Sequence, residues 1–184
     1  MNMPGNNILD EDLDNIEAKK DSIVLIGMPW AGKTTIAPLL AEKLGWSLID
    51  TDDNIETAAC KSCQEIVDQY GYLYFRNLEE KELISINLES HVIATGGSAV
   101  YSIAGMSHLK SRSMVIFMQI SFEDLLDRKL DMKNRGIASK TGQTFHETYL
   151  ERQPLYHKYA DYTVDCSGKS REQVLNEILD LIES

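Results

Sequence analysis

Ser22-Ile23-Val24-Leu25-Ile26-Gly27-Met28-Pro29-Trp30-Ala31-Gly32-Lys33-Thr34-Thr35 is the stretch that decides the fold. Its apolar run, Ile23 to Ile26, is too short for a helix and rich in β-branched residues, so it reads as a buried strand. Gly27 to Thr34 then spells G-x-x-x-x-G-K-[ST], the pattern of a phosphate-binding loop. Ile36, Leu39, Leu40 and Leu44 follow at helical spacing, and Gly45 supplies a C-terminal stop. Glycines in such a loop let successive N–H groups curl inward around a phosphate, and the helix start adds its positive end. Lys33 can reach the β- and γ-phosphates, and the Thr34 hydroxyl can ligate Mg2+. A Gly-rich turn without a ligand is the bland reading, against which the intact Gly-Lys-Thr and the strand–loop–helix setting both argue. Two residues are out of place. Trp30 stands where a small residue would crowd a nucleotide less, and Pro38 falls inside the helix, where a lost N–H bond predicts a kink.

Outward from this stretch, 184 residues are enough for one domain with a real core. The net charge of −11 argues against a nucleic-acid footprint. No stretch approaches a membrane span and the N-terminus lacks a signal-peptide pattern, so a cytoplasmic protein that binds neither membrane nor nucleic acid is expected. Of the three cysteines, Cys60 and Cys63 form a lone C-x-x-C without a second pair or a redox context. Ser62 with Glu65 reads there as a helix-starting capping box, and the thiols as reduced and non-catalytic.

Residues 1–20 are polar and acidic, with little to bury, and read as a mobile N-terminal extension to a single domain over 21–184. Short strands are expected at Ser47 to Asp50, His91 to Thr95, Met114 to Met118 and Tyr162 to Asp165. Helices are expected around Ile55, from Ser62 to about Glu89 with a break near Gly71, from Ser121 to about Leu130, in part from Phe145 to Tyr159 with Pro154 disturbing it, and at the C-terminus. Residues 131–144 read as an exposed mobile loop. Five apolar strands separated by helices imply α/β architecture, a parallel sheet covered on both faces. Ligands in such folds gather at the carboxyl ends of the strands, which groups Gly27 to Thr34, Asp50 with Asp52, and Gly96-Gly97.

Asp50 and Asp52 alternate onto one side of a strand end, where carboxylates facing a nucleotide can hold metal-bound water or accept a proton from an attacking hydroxyl. Asp53 reads as the N-cap of the following helix. Arg76 and Glu79 are i,i+3 on a helix, by itself the mark of a surface ion pair. Arg76 together with Arg152, before Gln153-Pro154, could clamp a small carboxylate. His91, His108, His146 and His157 form no ligand spacing, and Tyr156 and Tyr159 read as core-facing aromatics.

Gly27-Met28-Pro29-x-x-Gly32-Lys33-Thr34, Asp50-Thr51-Asp52, Phe75-Arg76-x-x-Glu79, Gly96-Gly97-x-Ala99-Val100 and Arg152-x-Pro154-Leu155-Tyr156 together resemble the shikimate kinase family, in its order and near its spacing. The resemblance covers about residues 22–183. It implies a three-layer P-loop kinase of the nucleoside-monophosphate-kinase type, a five-stranded parallel sheet with a mobile lid at about 131–148. The implied reaction moves the ATP γ-phosphoryl to the 3-hydroxyl of shikimate in aromatic amino-acid (chorismate) biosynthesis. Asp52 would be the base and touch the acceptor, Arg76, Gly97 and Arg152 would bind shikimate, and Glu79 would orient Arg76. Gly27, Trp30, Ala31, Gly32, Lys33, Thr34 and Thr35 would hold ATP with Arg128 and the lid residue Arg135, Lys33 and Arg135 acting catalytically. Thr34 and Asp50 would serve Mg2+, and a monomer is expected.

The chain departs from the family pattern at three places. Arg135-Gly136-Ile137-Ala138 stands for Arg-Pro-Leu-Leu, Ser98 for a third glycine, and Trp30 for a loop glycine. Two rival readings therefore stay open: a kinase for another hydroxy acid such as gluconate, and an ATP-binding regulatory module without transfer activity.

Overall fold

A computed structural model describes residues 20–87, 89–131 and 142–183. The expected N-terminal extension (all but Lys20), most of the expected lid and its Arg135 lie outside the described residues.

Strand β1 (Ser22–Ile26) is buried along its whole length, so both of its faces must be covered. The loop after it leads into α1 (Lys33–Leu44), which buries Lys33, Ile36, Ala37, Leu40 and Ala41, the stripe of a 3.6-residue repeat. The helix runs on through Pro38, on its exposed side, where water can satisfy the carbonyl that proline leaves. Gly45 ends it in the left-handed region at φ 65°. Then come β2 (Ser47–Asp50), α2 (Thr51–Ala59), α3 (Cys63–Tyr70) and α4 (Tyr72–Ser85). The expected capping box of Ser62 and Glu65 starts α3, and Gly71 at φ 86° turns the chain into α4.

Strand β3 (His91–Ala94) is followed by a 3-10 turn (Ala99–Tyr101), α5 (Ile103–Arg112) and β4 (Ser113–Gln119). Helix α5 is not among the helices expected from the sequence. It is the crossover between β3 and β4, capped by the Ser102 hydroxyl, which accepts from the Gly105 N–H at 2.9 Å. Next are α6 (Phe122–Asp131), α7 (Phe145–Tyr159), β5 (Tyr162–Asp165) and α8 (Arg171–Glu183). Pro154 does not interrupt α7, because it too lies on an exposed face.

All five strands are parallel, in the order β2-β3-β1-β4-β5. Helices α1 and α8 pack together against one face, while α5 and α7 lie against β4 from the other layer and α4 packs on α5. The order reverses at β1, so the loop after β1 sits at the switch point where such sheets open a ligand crevice. A separate small core of Ile55, Ile66 and Phe75 holds α2, α3 and α4 together beside that crevice. Among the described residues, no helix is long and apolar enough to cross a membrane.

Candidate active site

The phosphate-binding loop is curled as its glycines allow. Gly27 and Gly32 take φ 148° and 105°, and a Cβ on Gly27 would lie 2.7 Å from the Met118 carbonyl oxygen. Trp30 also has positive φ, 65°, which explains why a glycine suits this place better. Its ring is buried edge-on against Phe145 at 5.6 Å, at the start of α7. Lys33 is buried, and its ammonium donates to the carbonyls of Gly27 at 2.7 Å and Met28 at 2.8 Å. The cation is thus stored inside the loop.

A cleft of about 280 Å³ opens in front of it, lined by loop residues Pro29 to Thr35 except Ala31, by Asp52, Asp53 and Glu56 of α2, and by Thr95, Gly97, Ser98 and Arg152. Asp50 closes β2 and is the N-cap of α2, its Oδ1 accepting from Asp52 N–H at 3.1 Å and Asp53 N–H at 3.5 Å. This corrects the assignment of the cap to Asp53. Asp50 takes the role because the helix begins one residue after it, and Asp52 therefore projects from the first helical turn rather than from the strand. Thr51, fully buried, accepts from the Gly96 N–H at 3.0 Å and ties this turn to the tip of β3.

Gly96 and Gly97 let the side chains around them close in. A Cβ on Gly96 would lie 2.6 Å from Asp52 Oδ1 and nearer still to Glu79 Oε1, so both carboxylates crowd over one backbone position. A Cβ on Gly97 would lie 2.6 Å from Pro29 Cδ and 3.0 Å from Arg152 Nη1. The tip of β3 is therefore wedged between the phosphate loop and the arginine of α7. Gly97→Ala should force one of them aside and lower kcat/KM by about 10²-fold, since misplacement of about 1 Å has that effect, with the fold retained. Steady-state kinetics and circular dichroism check this, and wild-type kinetics would contradict it.

Glu79 is not the surface partner that its i,i+3 spacing suggests. It is buried, its Oε2 accepts from the Ser98 hydroxyl at 2.5 Å, and Oε1 has no hydrogen-bond partner among the described residues. Burial first and the Asp52 charge second push its carboxyl up to about 7, against the pull of Ser98 and of the Arg152 and Arg76 guanidiniums. A carboxyl raised on folding makes the native state hold more protons than the unfolded one, so this group's contribution to stability falls as pH rises from about 4.5 to about 7. Urea unfolding at pH 5 and pH 8 should show that fall in the wild type and less of it in Glu79→Gln. An equal pH slope in both proteins would contradict the assignment.

The arginines take two positions. Arg152 is 1 % exposed and points into the cleft beside Gly97. Arg76 is set back from the cleft lining, its guanidinium carbon 3.5 Å from the centre of the Tyr101 ring, a ring also 5.4 Å from that of Arg152. Tyr156, fully buried as expected of a core aromatic, donates its hydroxyl to the Gly97 carbonyl at 2.7 Å. Tyr101 and Ser98 were not assigned site roles from sequence, because their partners are distant in the chain.

Arg128, on α6, donates to the carbonyls of Trp30 at 3.3 Å, Ala31 at 3.2 Å and Cys166 at 3.2 Å. It borders a second, adjoining cavity with Ala31, Gly32, Thr35, Met118 and Val174, on the far side of the loop. The cysteines are free thiols, and burial followed by the Asp52 and Glu56 charges pushes the Cys63 thiol upward, away from reactivity. Among the described residues, no group of three or more His, Cys, Asp or Glu side chains could cage a metal.

A family model described as Shikimate kinase matches residues 29–183. Shikimate kinase of Caldanaerobacter subterraneus subsp. tengcongensis is 35% identical over 161 residues, covering 86% of this chain and 94% of that protein. The same enzyme of Thiobacillus denitrificans is 35% identical over 173 residues, covering 90% and 94%. The structure of Acinetobacter baumannii shikimate kinase in complex with shikimate superposes with a TM-score of 0.74 at 29% identity, over 90% of this chain and 94% of that one. With the phosphate loop, Asp52 and the buried Arg152 lining one cleft, this chain belongs to the shikimate kinase family.

Proposed function

We propose that this chain is a shikimate kinase, moving the γ-phosphoryl group of ATP to the 3-hydroxyl of shikimate. One observation carries the reading. A stored cation, a carboxylate and a buried guanidinium face a single cleft, and a second guanidinium shares the Tyr101 ring with the first.

Transfer of a phosphoryl group needs mainly alignment and charge stabilisation. The loop N–H groups and the N-terminus of α1 would bind the phosphates, and Lys33 would leave the Gly27 and Met28 carbonyls to reach them. Asp52 would accept the hydroxyl proton, while Arg152 and Arg76 hold the acceptor carboxylate. Arg76 supports this with Nε and Nη2, both buried and without hydrogen-bond partners among the described residues. Such donors need an acceptor, and a carboxylate supplies a two-oxygen one. Gly97 would offer its N–H to the same substrate. Arg128 anchors the loop carbonyls next to the adjoining cavity, the place for the adenine.

A hydroxyl and a carboxylate, Thr34 and Asp50, are the hard oxygen donors that Mg2+ takes, one or two from protein besides phosphate oxygens and water. The Thr34 hydroxyl would hold it directly and Asp50 through water, and it would supply charge neutralisation between the phosphates. Asp50 keeps its other oxygen for that task, since Oδ1 caps α2. Arg135 belongs to the same proposal through the family pattern alone.

An ADP-release assay with ATP and Mg2+, run without acceptor, with shikimate and with other hydroxy acids including gluconate, tests the proposal. ADP release that depends on shikimate is expected. Release with gluconate only would make the chain a different hydroxy-acid kinase, and ATP binding without release under any condition would make it a regulatory module.

A further inference from the structure

Tyr101 occupies a position that the motif Gly96-Gly97-x-Ala99-Val100 does not include, yet both arginines of the proposed acceptor site converge on its ring. It ends the 3-10 turn, whose backbone bonds run from Ala99 N–H to the Gly96 carbonyl at 3.3 Å and from Tyr101 N–H to the Ser98 carbonyl at 3.0 Å. The ring is thereby fixed to the tip of β3. Its hydroxyl donates to Glu151 Oε1 at 2.9 Å, and Gln143 donates to the other oxygen of that carboxylate at 2.6 Å. The Arg76 guanidinium carbon lies 3.5 Å from the ring centre, close enough for face-on attraction to the ring quadrupole. Tyr72 adds a second ring at 5.1 Å.

Stacking engages the flat face of a guanidinium and leaves its N–H edge free. The Nε and Nη2 atoms of Arg76, one side of its fork, are the buried donors without hydrogen-bond partners among the described residues. A hydrogen-bonded anchor on Glu79 would use up that edge, but the described bond of Glu79 goes to Ser98. We propose that Tyr101 is the positioning residue of the acceptor site. It holds Arg76 by its face, with the fork edge kept open for the incoming carboxylate, and sets the spacing between Arg76 and Arg152. This rests on the shikimate kinase reading.

The test compares wild type, Tyr101→Leu and Tyr101→Phe as full-length proteins in steady-state kinetics with ATP, Mg2+ and shikimate. Loss of the ring in Tyr101→Leu should raise the KM for shikimate about tenfold, a size that cation–π attraction supports, with kcat and the KM for ATP unchanged. Tyr101→Phe, which keeps the ring over Arg76 but loses the hydroxyl and its bonds to Glu151 and Arg152, should recover most of that loss. Tyr101→Met, of similar bulk without a ring, replaces the leucine variant if that one does not fold. An unchanged shikimate KM without the ring overturns the inference, as does a defect shared equally with ATP or a phenylalanine variant as weak as the leucine one. Those results require a wild type active on shikimate. A wild type inactive on shikimate would instead overturn the functional reading, and this inference with it.

Discussion

Asp52→Asn should bind ATP normally and lose about 10²–10⁴ in turnover, the usual contribution of a positioned general base. Asparagine keeps the shape of the side chain that leans over Gly96 but cannot take the proton of the acceptor hydroxyl. A second consequence follows from the crowding of two carboxylates. Asp52 is the second cause of the raised Glu79 carboxyl, so neutralising residue 52 should let Glu79 ionise more easily. Single-turnover kinetics with ATP binding measured separately would check the first effect. Near-wild-type turnover would remove Asp52 from the chemistry.

Arg152→Ala should abolish tight acceptor binding, at about 2–5 kcal/mol, the range for truncating one partner of a buried charge pair. The side chain is 1 % exposed, so water cannot replace it at low cost. Its charge also lowers the Glu79 carboxyl, and its removal should push that group further up. Arg152→Lys should rescue little, because an ammonium cannot present the planar fork that a carboxylate matches. ATP affinity should stay near wild type, since the proposed nucleotide contacts lie on the loop. A loss confined to ATP would move Arg152 to the nucleotide side.

Much of the fold is legible because its decisive signals are local. The run Ile23 to Ile26, the glycine loop and the stripe Ile36, Leu40 each define their element without reference to the rest of the chain. The capping box of Ser62 and Glu65 and the break at Gly71 are equally local. Helix α5 escaped for a tertiary reason. Glycine is a poor helix former, but at Gly105 its missing Cβ is needed where Leu83 of α4 packs, with Leu83 Cδ1 2.7 Å from where that atom would be. The prolines of α1 and α7 read as a kink and a disturbance, and their exposure explains why the helices run on through them.

The site divides along the same line. Lys33, Asp52 and Arg152 sit in or beside recognisable motifs, and the structure lines one cleft with them. Whether Glu79 is a surface ion pair or a buried acid depends on what covers it, and no i,i+3 spacing carries that information. Tyr101 is invisible for a related reason: its contacts reach Arg76 on α4 and Arg152 on α7, remote in sequence. The odd Trp30 becomes intelligible only once its positive φ and its packing on Phe145 are known.

A crystal structure of the chain with shikimate and a non-hydrolysable ATP analogue would test the shared cleft most directly. The shikimate carboxylate should lie on Arg152 and the open edge of Arg76, with its 3-hydroxyl within hydrogen-bond distance of Asp52 and facing the γ-phosphate on Lys33. Shikimate bound away from Arg152, or with its 3-hydroxyl remote from Asp52, would contradict the assignment.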